Sequence, residues 1–519
     1  MNSVTNYPIN KLLYLLVFLA GGISVFAFSP FNLYPLAWIT PAILFYALSK
    51  ANTVKQHFYL SWIFGISFFG AGASWPFYSI YFFAHAPLIV AIIGVALFVI
   101  MVAFFTLGFF GLLVSQFRHY SLFLRLLLFY PAAWVLMEWF RAWFLTGFPW
   151  LYLGNSQIDN ILSSYAPITG VLGVSLVCVL ISGALVCFIL GDAVKKVTST
   201  SRYENTAFII RTFSVLLVVG LTVIAFLLSK VNWTEKTGAA FTVSVLQSNI
   251  SQEEKLNPDN LNTMINLYLD MTKESRKSDL IVWPETALFS TFNHHMDDVI
   301  LPLQDSLREN QAVLLGGFLE NDNNGYENSV LAISKNNREL YSKRHLVPFG
   351  EYIPLSKYVR WMGDWIPRSN IDVGQNDGML TVLNHRVQMT ICYEDAFASE
   401  IIQSLPEASL LINVTHDGWF TGSLEPAQHM QIARMRSLET GRYMVRATTT
   451  GPAGIINEKG KVLATAAQYT KKIITHKVQP YIGATPYVRW GNWLIVSILS
   501  ILLLLGIALN RKNKNYGNT

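Results

Sequence analysis

Val387-Gln-Met-Thr-Ile-Cys-Tyr-Glu-Asp395 is a short apolar run that ends abruptly at Cys392. Such a run predicts a buried β-strand, and the residues that end it predict reactive side chains at the strand's tip. The sequence has two other cysteines, Cys178 and Cys187, and both lie in an apolar run typical of a membrane helix. Cys392 is therefore the one thiol placed where chemistry in water could use it.

The composition divides the chain into a membrane part and a part that lies in water. Of the 519 residues, 52% are hydrophobic and 13% are charged, against about 25% charged residues in ordinary soluble proteins. Residues 231–489 carry 24 Lys and Arg against 28 Asp and Glu, whereas the rest of the chain carries 14 against 4. The formal net charge of +6 therefore comes from basic loops between membrane helices, and it does not indicate a nucleic-acid partner.

About eight apolar runs are candidates for transmembrane helices, since roughly 20 apolar residues cross the hydrocarbon core. The first run lacks an obvious small-residue cleavage site, so we interpret it as a retained helix, with a cleaved signal peptide as the alternative. The break between the third and fourth runs is weak, which leaves the count open there. The runs cover residues 12–28, 34–49, 58–83, 86–116, 121–146, 165–191, 212–229 and 492–509.

The basic residues occur in alternate connections between these runs. The loops between them, such as residues 29–34 and 84–87, carry no Lys or Arg. By the positive-inside rule both termini are predicted to be cytoplasmic, and the segment between the seventh and eighth runs lies on the opposite side. In a bacterial inner membrane that side is the periplasm. The basic residues in these alternate connections are Lys11, Lys50, Lys55, Arg118, Arg125, Lys195, Lys196, Arg202, Arg211, Arg511, Lys512 and Lys514.

The composition changes at Asn232 and stays changed to about Pro486. Short β-rich runs alternate there with amphipathic ones, which favours a layered α/β domain over a β-sandwich. We predict a membrane domain over residues 1–232, a catalytic domain over residues 233–485, and a last transmembrane helix with a cytoplasmic tail over residues 486–519. The predicted strands are 241–247, 280–283, 312–319, 329–334, 387–392, 410–415 and 443–449, and the predicted helices are 257–277, 296–310 and 425–440.

Two charged residues, Glu138 and Arg141, lie one helical turn apart near the end of the fifth apolar run. They are followed by Gly147-Phe-Pro-Trp-Leu-Tyr-Leu-Gly154, which includes Trp150. Charges near a membrane interface usually pair or extend toward water, and tryptophan favours the headgroup zone. An interfacial anchor with an internal ion pair and a site that receives a lipid headgroup or substrate both stay open.

Two further stretches place reactive groups beside strand ends or turns. Ile281-Val-Trp-Pro-Glu285 leaves a carboxylate at the tip of an apolar run, and Tyr341-Ser-Lys-Arg-His-Leu-Val-Pro-Phe-Gly-Glu351 holds Lys343 in a loop. Each stretch alone is a weak signal, because surface glutamates and loop lysines are common. With Cys392 they form a coherent set, in which a carboxylate takes the thiol proton and an ammonium lowers the thiol pKa and holds a developing oxyanion.

These three stretches resemble the Glu–Lys–Cys triad of the nitrilase (carbon–nitrogen hydrolase) superfamily. The apolar runs on both sides narrow the resemblance to the apolipoprotein N-acyltransferases, a family that completes triacylated bacterial lipoproteins. The resemblance covers essentially the whole chain. It implies a polytopic α-helical membrane domain with about eight transmembrane helices and an α/β nitrilase-like α-β-β-α sandwich. It also implies Glu285 as base, Lys343 as oxyanion-stabilising cation and Cys392 as nucleophile.

The same resemblance implies supporting residues around this triad. It implies Glu351 as a second carboxylate that orients the site, with Tyr393 and Glu394 as supporting neighbours. Leu256 stands where the family has an aromatic residue, and His416 stands where it has asparagine. The pocket residues that the resemblance implies are Asn413, Asp417 and Trp419, and the matching membrane motif comprises Phe148-Pro-Trp-Leu151, Gly154 and Gln157.

The reaction that the resemblance implies is a ping-pong acyl transfer without a cofactor. The thiol attacks an ester of a membrane phospholipid, and the amine of the N-terminal diacylglyceryl-cysteine of an apolipoprotein then attacks the resulting thioester. Its partners are therefore a phospholipid donor, an apolipoprotein acceptor and the bilayer. Four aromatic residues are candidates for an interfacial lid, with a structural core as the alternative. They are Trp361, Trp365, Trp419 and Phe420.

Other interpretations predict different observations. The neighbours His294 and His295 have no Cys or carboxylate cluster at ligand spacing, so we predict no metal site. A tethered amidase would use water in place of the lipoprotein amine. A transporter with an external binding domain would need ionisable residues at the membrane midplane, and the apolar runs are nearly free of them.

Overall fold

The structure is a computed structural model that describes residues 10–195, 201–322, 325–354 and 371–516. The chain divides into two compact units. The first comprises Met1–Ser74, Ile92–Val231 and Trp490–Thr519, and the second comprises Trp75–Ala91 and Asn232–Arg489.

The first unit is built from apolar helices. Five helices are long and apolar enough to cross a membrane, namely Leu88–Ser115, Leu122–Arg141, Ile161–Leu190, Ala207–Leu228 and Trp493–Asn510. Two shorter apolar helices are Lys11–Ala27 and Leu36–Lys50, and the unit also contains the helix Val54–Gly72. Each of the eight predicted runs therefore contains a helix, whereas the number that crosses the membrane stays a prediction.

The third predicted membrane run, residues 58–83, extends too far at its carboxyl end, so the prediction is wrong there. The helix Val54–Gly72 begins at a capping box between Thr53 and Gln56 and ends where Ala73 leaves the helical region, with φ of −133°. Pro76 then starts a separate short helix, because proline suits the first turn of a helix but disrupts a helix interior. The residues after it belong to the second unit.

Two six-stranded sheets form the centre of the second unit, within the described part of the chain. The sheet orders are β13-β2-β3-β4-β5-β6 and β12-β11-β10-β9-β8-β7, and β1 and β14 form a separate pair. The strands are β1 Glu235–Lys236, β2 Phe241–Gln247, β3 Leu280–Val282, β4 Val313–Asp322, β5 Gly325–Ile333, β6 Arg338–Ser342, β7 Met379–Val382, β8 His385–Ile391, β9 Leu410–Thr415, β10 Met444–Thr448, β11 Gly454–Ile456, β12 Val462–Thr465, β13 Lys472–Val478 and β14 Tyr481–Ile482.

The two sheets pack face to face, and helices cover their outer faces. Alternate side chains of the central strands enter the shared core, for example Val282 of β3 and Ile412 of β9. The neighbouring residues Ile281 and Leu411 enter the outer cores beneath the helices. Both faces of these strands are therefore buried, and the predicted α-β-β-α sandwich is confirmed. The covering helices are Leu261–Glu274 and Leu301–Asn310 on one sheet, and Ala398–Ile401 and Glu425–Thr440 on the other; the unit also has the short helices Gln252–Leu256 and Pro486–Trp490.

The central strands of each sheet run parallel, which determines where the polar residues gather. β2, β3 and β4 are parallel neighbours, and so are β8, β9 and β10. Glu285 follows the carboxyl end of β3, and Cys392 follows the carboxyl end of β8. Ligands of open α/β sheets bind outside the carboxyl ends of their strands, so these ends are the region to search for an active site.

Candidate active site

Cys392 is the first residue after β8 and starts the short turn Cys392–Ala396. Its φ is 55°, a left-handed backbone conformation that is strained for a residue with a side chain. Asn413 on β9 donates hydrogen bonds to the Cys392 carbonyl (3.0 Å) and to Thr390 Oγ1 (3.1 Å). The neighbouring strand therefore holds the strained turn, and strain of this kind is common where an active site requires a fixed side chain.

A buried cluster of two carboxylates and one ammonium lies beside the thiol. Lys343 Nζ is 2.8 Å from Glu351 Oε1 and 3.8 Å from Glu285 Oε1, and the Lys343 side chain is 1% exposed. Asn328 of β5 donates to Glu285 Oε1 (2.7 Å) and to Glu351 Oε1 (3.3 Å). The three residues predicted from separate stretches thus lie together, and Asn328, which is not among the predicted residues, joins the two carboxylates.

The electrostatics of Cys392 and Lys343 differ from the sequence-based expectation. Burial alone would lower the pKa of Lys343, but Glu351 and Glu285 raise it above its usual value. Burial raises the pKa of the Cys392 thiol to about 12, Glu285 adds to this rise, and Lys343 opposes it. Lys343 thus acts on the thiol pKa in the expected direction, but burial and Glu285 outweigh it, so the net pKa is raised. The Cys392 sulfur therefore rests as a thiol, and nucleophilic attack by it would require removal of the proton.

Glu394 links the Cys392 turn to the loop that carries Lys343. Its carboxylate is buried, and burial raises the pKa of Glu394. Since its donors flank Lys343 on one side and precede Cys392 on the other, Glu394 links the segments that carry Lys343 and Cys392. The donors are the Tyr341 hydroxyl (2.9 and 2.8 Å) and the backbone N–H groups of Arg344 (2.8 Å), His345 (3.1 Å) and Ile391 (2.7 Å).

Tyr393 packs on the same loop. Its ring lies edge-on to Phe397 at 4.8 Å and to His345 at 5.7 Å between ring centroids. His345 in turn contacts Glu400 through Nδ1 at 2.7 Å. Tyr393 therefore contributes packing on the side of the turn that faces the Lys343 loop.

A buried charge cluster lies on the β9 and β10 side of the thiol. Arg446 contacts Asp395 (3.4 Å), Asp417 (3.3 Å) and the Asn413 side-chain oxygen (2.7 Å). His429 contacts Asp395 at 2.8 Å. Because Asn413 also holds the Cys392 carbonyl, the cluster is connected to the nucleophile turn through one side chain.

Three members of this cluster could in principle hold a metal ion, since ligand atoms of Asp417, Glu425 and His429 lie within 4.8 Å of one another. The charges balance without an ion. Burial disfavours charge on His429 and Asp417, but Asp395 raises the pKa of His429 and Arg446 lowers the pKa of Asp417. Burial and Asp417 raise the pKa of Glu425 to about 7. Two cations thus face two carboxylates and the carboxyl of Glu425, which binds a proton more readily than an exposed glutamate. The absence of a metal site stays a prediction.

We expect Arg446→Met to reduce the free energy of unfolding by about 3–5 kcal/mol, the effect of removing one partner of a buried ion pair. The change leaves Asp395 and Asp417 with one shared cation, His429, in place of two. Denaturant unfolding of the purified protein measures the effect, and Arg386→Met, at an exposed position on β8, is the matched control. Equal stability of the two variants would contradict the prediction.

Trp419 and Phe420 lie on the turn Asp417–Phe420 and contact the segment Trp75–Ala91 of the same unit. Phe420 lies 4.7 Å from Trp75, and Trp419 lies 5.5 Å from Phe83, between ring centroids. The lid role stays a prediction. The other two lid candidates, Trp361 and Trp365, lie outside the described residues.

Glu138, Arg141 and Trp150 belong to the first unit, whereas the triad belongs to the second. All three are buried. Glu138 Oε1 accepts hydrogen bonds from Trp134 Nε1 and from the Leu153 N–H, both at 3.0 Å, and Arg141 Nη2 donates to the Trp150 carbonyl at 2.7 Å. The two charges thus hold the backbone of the loop that follows them, which favours the anchor interpretation. A lipid-contact role stays a prediction.

Comparisons with known proteins agree with this geometry. Residues 20–184 match the family model described as apolipoprotein N-acyltransferase N-terminal domain, and residues 242–487 match the one described as carbon-nitrogen hydrolase. The chain is 37% identical to an apolipoprotein N-acyltransferase of Methylococcus capsulatus, over 96% of this chain and 97% of that protein. The identity is 37% to that of Nitrosomonas europaea (94% and 96% covered) and 33% to that of Coxiella burnetii (94% and 99%). The family resemblance predicted from the sequence is confirmed: the chain belongs to the apolipoprotein N-acyltransferase family, within the carbon–nitrogen hydrolase superfamily.

Proposed function

We propose that this protein transfers a fatty acyl chain from a membrane phospholipid to the N-terminal amine of the diacylglyceryl-cysteine of apolipoproteins, through a thioester on Cys392. The observation that carries the proposal is the site that Cys392 shares with the buried Glu285 and Lys343 in a chain that also has helices apolar enough to cross a membrane. The relatives named apolipoprotein N-acyltransferase support the acceptor class.

In the first half-reaction, the Cys392 sulfur attacks the ester carbonyl carbon and its proton passes to Glu285. A base is needed because burial raises the thiol pKa to about 12. The tetrahedral oxyanion is stabilised by the Lys343 ammonium and by backbone N–H groups beside Cys392. Collapse of this intermediate breaks the ester C–O bond, Glu285 returns the proton to the leaving oxygen, and a lysophospholipid departs.

In the second half-reaction, the lipoprotein amine attacks the thioester carbonyl and gives up a proton to Glu285. The C–S bond breaks, the sulfur regains a proton, and an amide is released. Both halves pass through a tetrahedral oxyanion at the same carbon, so one arrangement of base and cation serves both, which is the logic of a ping-pong mechanism.

Four side chains support the triad in this mechanism. Glu351 holds Lys343 at 2.8 Å, so the ammonium is directed by two carboxylates. Glu394 and Asn413 fix the nucleophile turn from either side. Asp417 binds Arg446, which orients Asn413. We infer that these residues position the reacting groups and do not exchange protons with the substrate.

We also propose a location in a bacterial inner membrane with both termini in the cytoplasm and the catalytic unit in the periplasm. The uneven charge supports this orientation, since the residues outside 231–489 carry 14 basic against 4 acidic side chains. The proposed partners are the phospholipid donor, the apolipoprotein acceptor and the bilayer, without a nucleic acid or a cofactor.

We expect the wild-type protein, incubated with phospholipid alone, to carry a fatty acyl group on Cys392. Intact-mass measurement detects the added acyl mass, and neutral hydroxylamine should remove it, because it cleaves thioesters. Addition of a diacylglyceryl-cysteine peptide should discharge the acyl group and produce the N-acylated peptide. A protein that stays unmodified with phospholipid but hydrolyses small amides would support the tethered-amidase interpretation and contradict the proposal.

A further inference from the structure

A second lysine, Lys255, follows β2 in the chain and reaches the turn that carries Glu285. It lies on the short helix Gln252–Leu256, which begins at a capping box between Ser251 and Glu254. The Lys255 side chain is buried, at 5% exposure. Its Nζ donates to Thr286 Oγ1 at 2.5 Å and to the Glu285 carbonyl at 3.2 Å. Lys255 is not among the site residues predicted from the sequence.

The two acceptors of Lys255 belong to the turn that carries the proposed base, Glu285. Thr286 has a φ of 40°, a strained value for a β-branched residue. On another side of the turn, a Cβ placed on Gly317 of β4 would lie 2.4 Å from the Pro284 carbonyl oxygen and 2.4 Å from the Thr286 nitrogen. The turn is therefore held between the backbone of β4 and the Lys255 ammonium, and strain of this kind persists only when its surroundings fix it.

Lys255 is also a second positive charge near the nucleophile. The ionisable groups that face it are Glu285, Cys392 and His416. Burial lowers the pKa of Lys255 to about 8, while Glu285 and Cys392 oppose this fall. Burial lowers the pKa of His416 well below its usual value and Lys255 adds to that effect, so His416 is neutral. At neutral pH the ammonium thus favours the ionised forms of the thiol and the carboxyl.

We propose that Lys255 is a positioning residue for the acylation step, whose ammonium holds the strained turn that directs Glu285 toward Cys392 and stabilises the thiolate as it forms. The inference rests on the proposed function, in which Glu285 accepts the thiol proton. Lys255 acts through Glu285 and through its charge, and it exchanges no proton with the substrate.

Two measurements test this role on the full chain in detergent. Alkylation of Cys392 by iodoacetamide needs no lipid and follows the thiolate fraction. It is measured in a Cys178→Ala/Cys187→Ala background, so that the chain carries one thiol. Single-turnover acylation by phospholipid then reports the proposed reaction. Failure of wild-type acylation would contradict the proposed function, while the alkylation measurement would still test the charge of Lys255.

The pH dependence of alkylation separates charge from packing. Thiolate from an isolated thiol increases about tenfold per pH unit below its pKa. As the pH rises through about 8, Lys255 loses its proton and its support for the thiolate, so the wild-type rate should rise less steeply above that pH. Lys255→Arg keeps its charge, so its alkylation rate should keep rising about tenfold per pH unit above pH 8. Lys255→Met should be alkylated more slowly than wild type at neutral pH.

Single-turnover acylation should fall by about 100-fold in Lys255→Met, the loss expected when a catalytic group is misplaced by about 1 Å. Lys255→Arg should recover part of this rate. Thr286→Val, which removes the hydroxyl acceptor but keeps a β-branched side chain, should slow acylation and leave the alkylation profile unchanged. Lys273→Met is the control, because Lys273 is exposed and pairs with Asp270 on the helix Leu261–Glu274.

The proposal is overturned if Lys255→Met acylates Cys392 as fast as wild type. It is also overturned if Lys255→Met and Lys255→Arg lose acylation equally while all alkylation profiles coincide, since Lys255 would then be a packing residue. If Lys255→Met does not fold, the variants Lys255→Arg and Thr286→Val test the proposal. Two results together would then contradict the proposal. Full acylation by Thr286→Val would contradict the role in holding the turn, and identical pH profiles of alkylation for wild type and Lys255→Arg would contradict the role in stabilising the thiolate.

Discussion

Cys392→Ala should reduce acyl transfer by about a millionfold, the loss seen when the nucleophile of covalent catalysis is removed. Without the sulfur no thioester forms, so neither half-reaction can begin. The expected readouts are the absence of acylated peptide in a transfer assay and the absence of any acyl mass on the protein after incubation with phospholipid. Transfer above about one hundredth of the wild-type rate would be too fast for the loss of a nucleophile.

The other two cysteines provide the matched control for this prediction. Cys178 and Cys187 lie on the helix Ala166–Lys195 and are both buried. Cys178→Ala/Cys187→Ala should keep its transfer rate and its acyl-enzyme, because neither thiol belongs to the unit that contains the triad. Cys392→Ser adds a check on folding, since it replaces the thiol with a hydroxyl of similar size at the turn. An inactive double variant with normal stability would contradict the assignment of the thioester to Cys392.

The central strands of the sandwich are predictable from sequence because both of their faces are buried. β2 and β9 coincide with their predicted ranges, since apolar residues predominate in each. Of the strands in the two sheets, β6, β7, β11, β12 and β13 are not predicted, and all of them except the three-residue β11 are edge strands. Edge strands carry charged residues, such as Lys472 and Lys477 on β13, which interrupt the apolar pattern.

The predicted third membrane run shows a second limit on what composition can predict. Residues 76–83 are as apolar as a membrane helix, but Tyr78 hydrogen-bonds to the Gly422 carbonyl at 3.3 Å and Phe83 packs against Trp419. Aromatic residues suit both lipid interfaces and protein contacts. A hydropathy pattern therefore cannot separate the helix Val54–Gly72 from the segment that follows it.

The site likewise contains residues that the sequence predicts and residues that it does not. Glu285 and Cys392 are predictable because each follows an apolar strand, and the family resemblance adds Lys343. Asn328 and Lys255 are not predictable, because their contacts with the turn at Glu285 join segments about 30 to 43 residues apart. The direction of the thiol pKa is also beyond the sequence, because it depends on how completely the folded chain buries the sulfur.

Lys343→Met should reduce the acylation rate of Cys392 by about 100- to 1,000-fold, the usual effect of removing one donor to an oxyanion. The variant also leaves Glu285 and Glu351 without their shared cation, joined only through the Asn328 amide. Two adjacent carboxylates resist being ionised together, so loss of the cation favours binding of a proton by the pair. Since the reaction needs Glu285 as a free base, the remaining activity should increase as the pH is raised. Single-turnover acylation across a pH series measures both effects, with Lys472→Met on the edge strand β13 as the exposed control.

A second variant separates the two roles of this ammonium. In Lys343→Met/Glu351→Gln one negative charge is removed with the cation, so repulsion between the carboxylates disappears and Glu285 is again free to accept the thiol proton. The pH dependence should therefore return toward that of the wild type. The rate should stay low, because no cation faces the oxyanion. If the double variant instead recovers the wild-type rate, Lys343 serves only to balance the charges of Glu285 and Glu351, and the oxyanion must be stabilised by the backbone N–H groups beside Cys392.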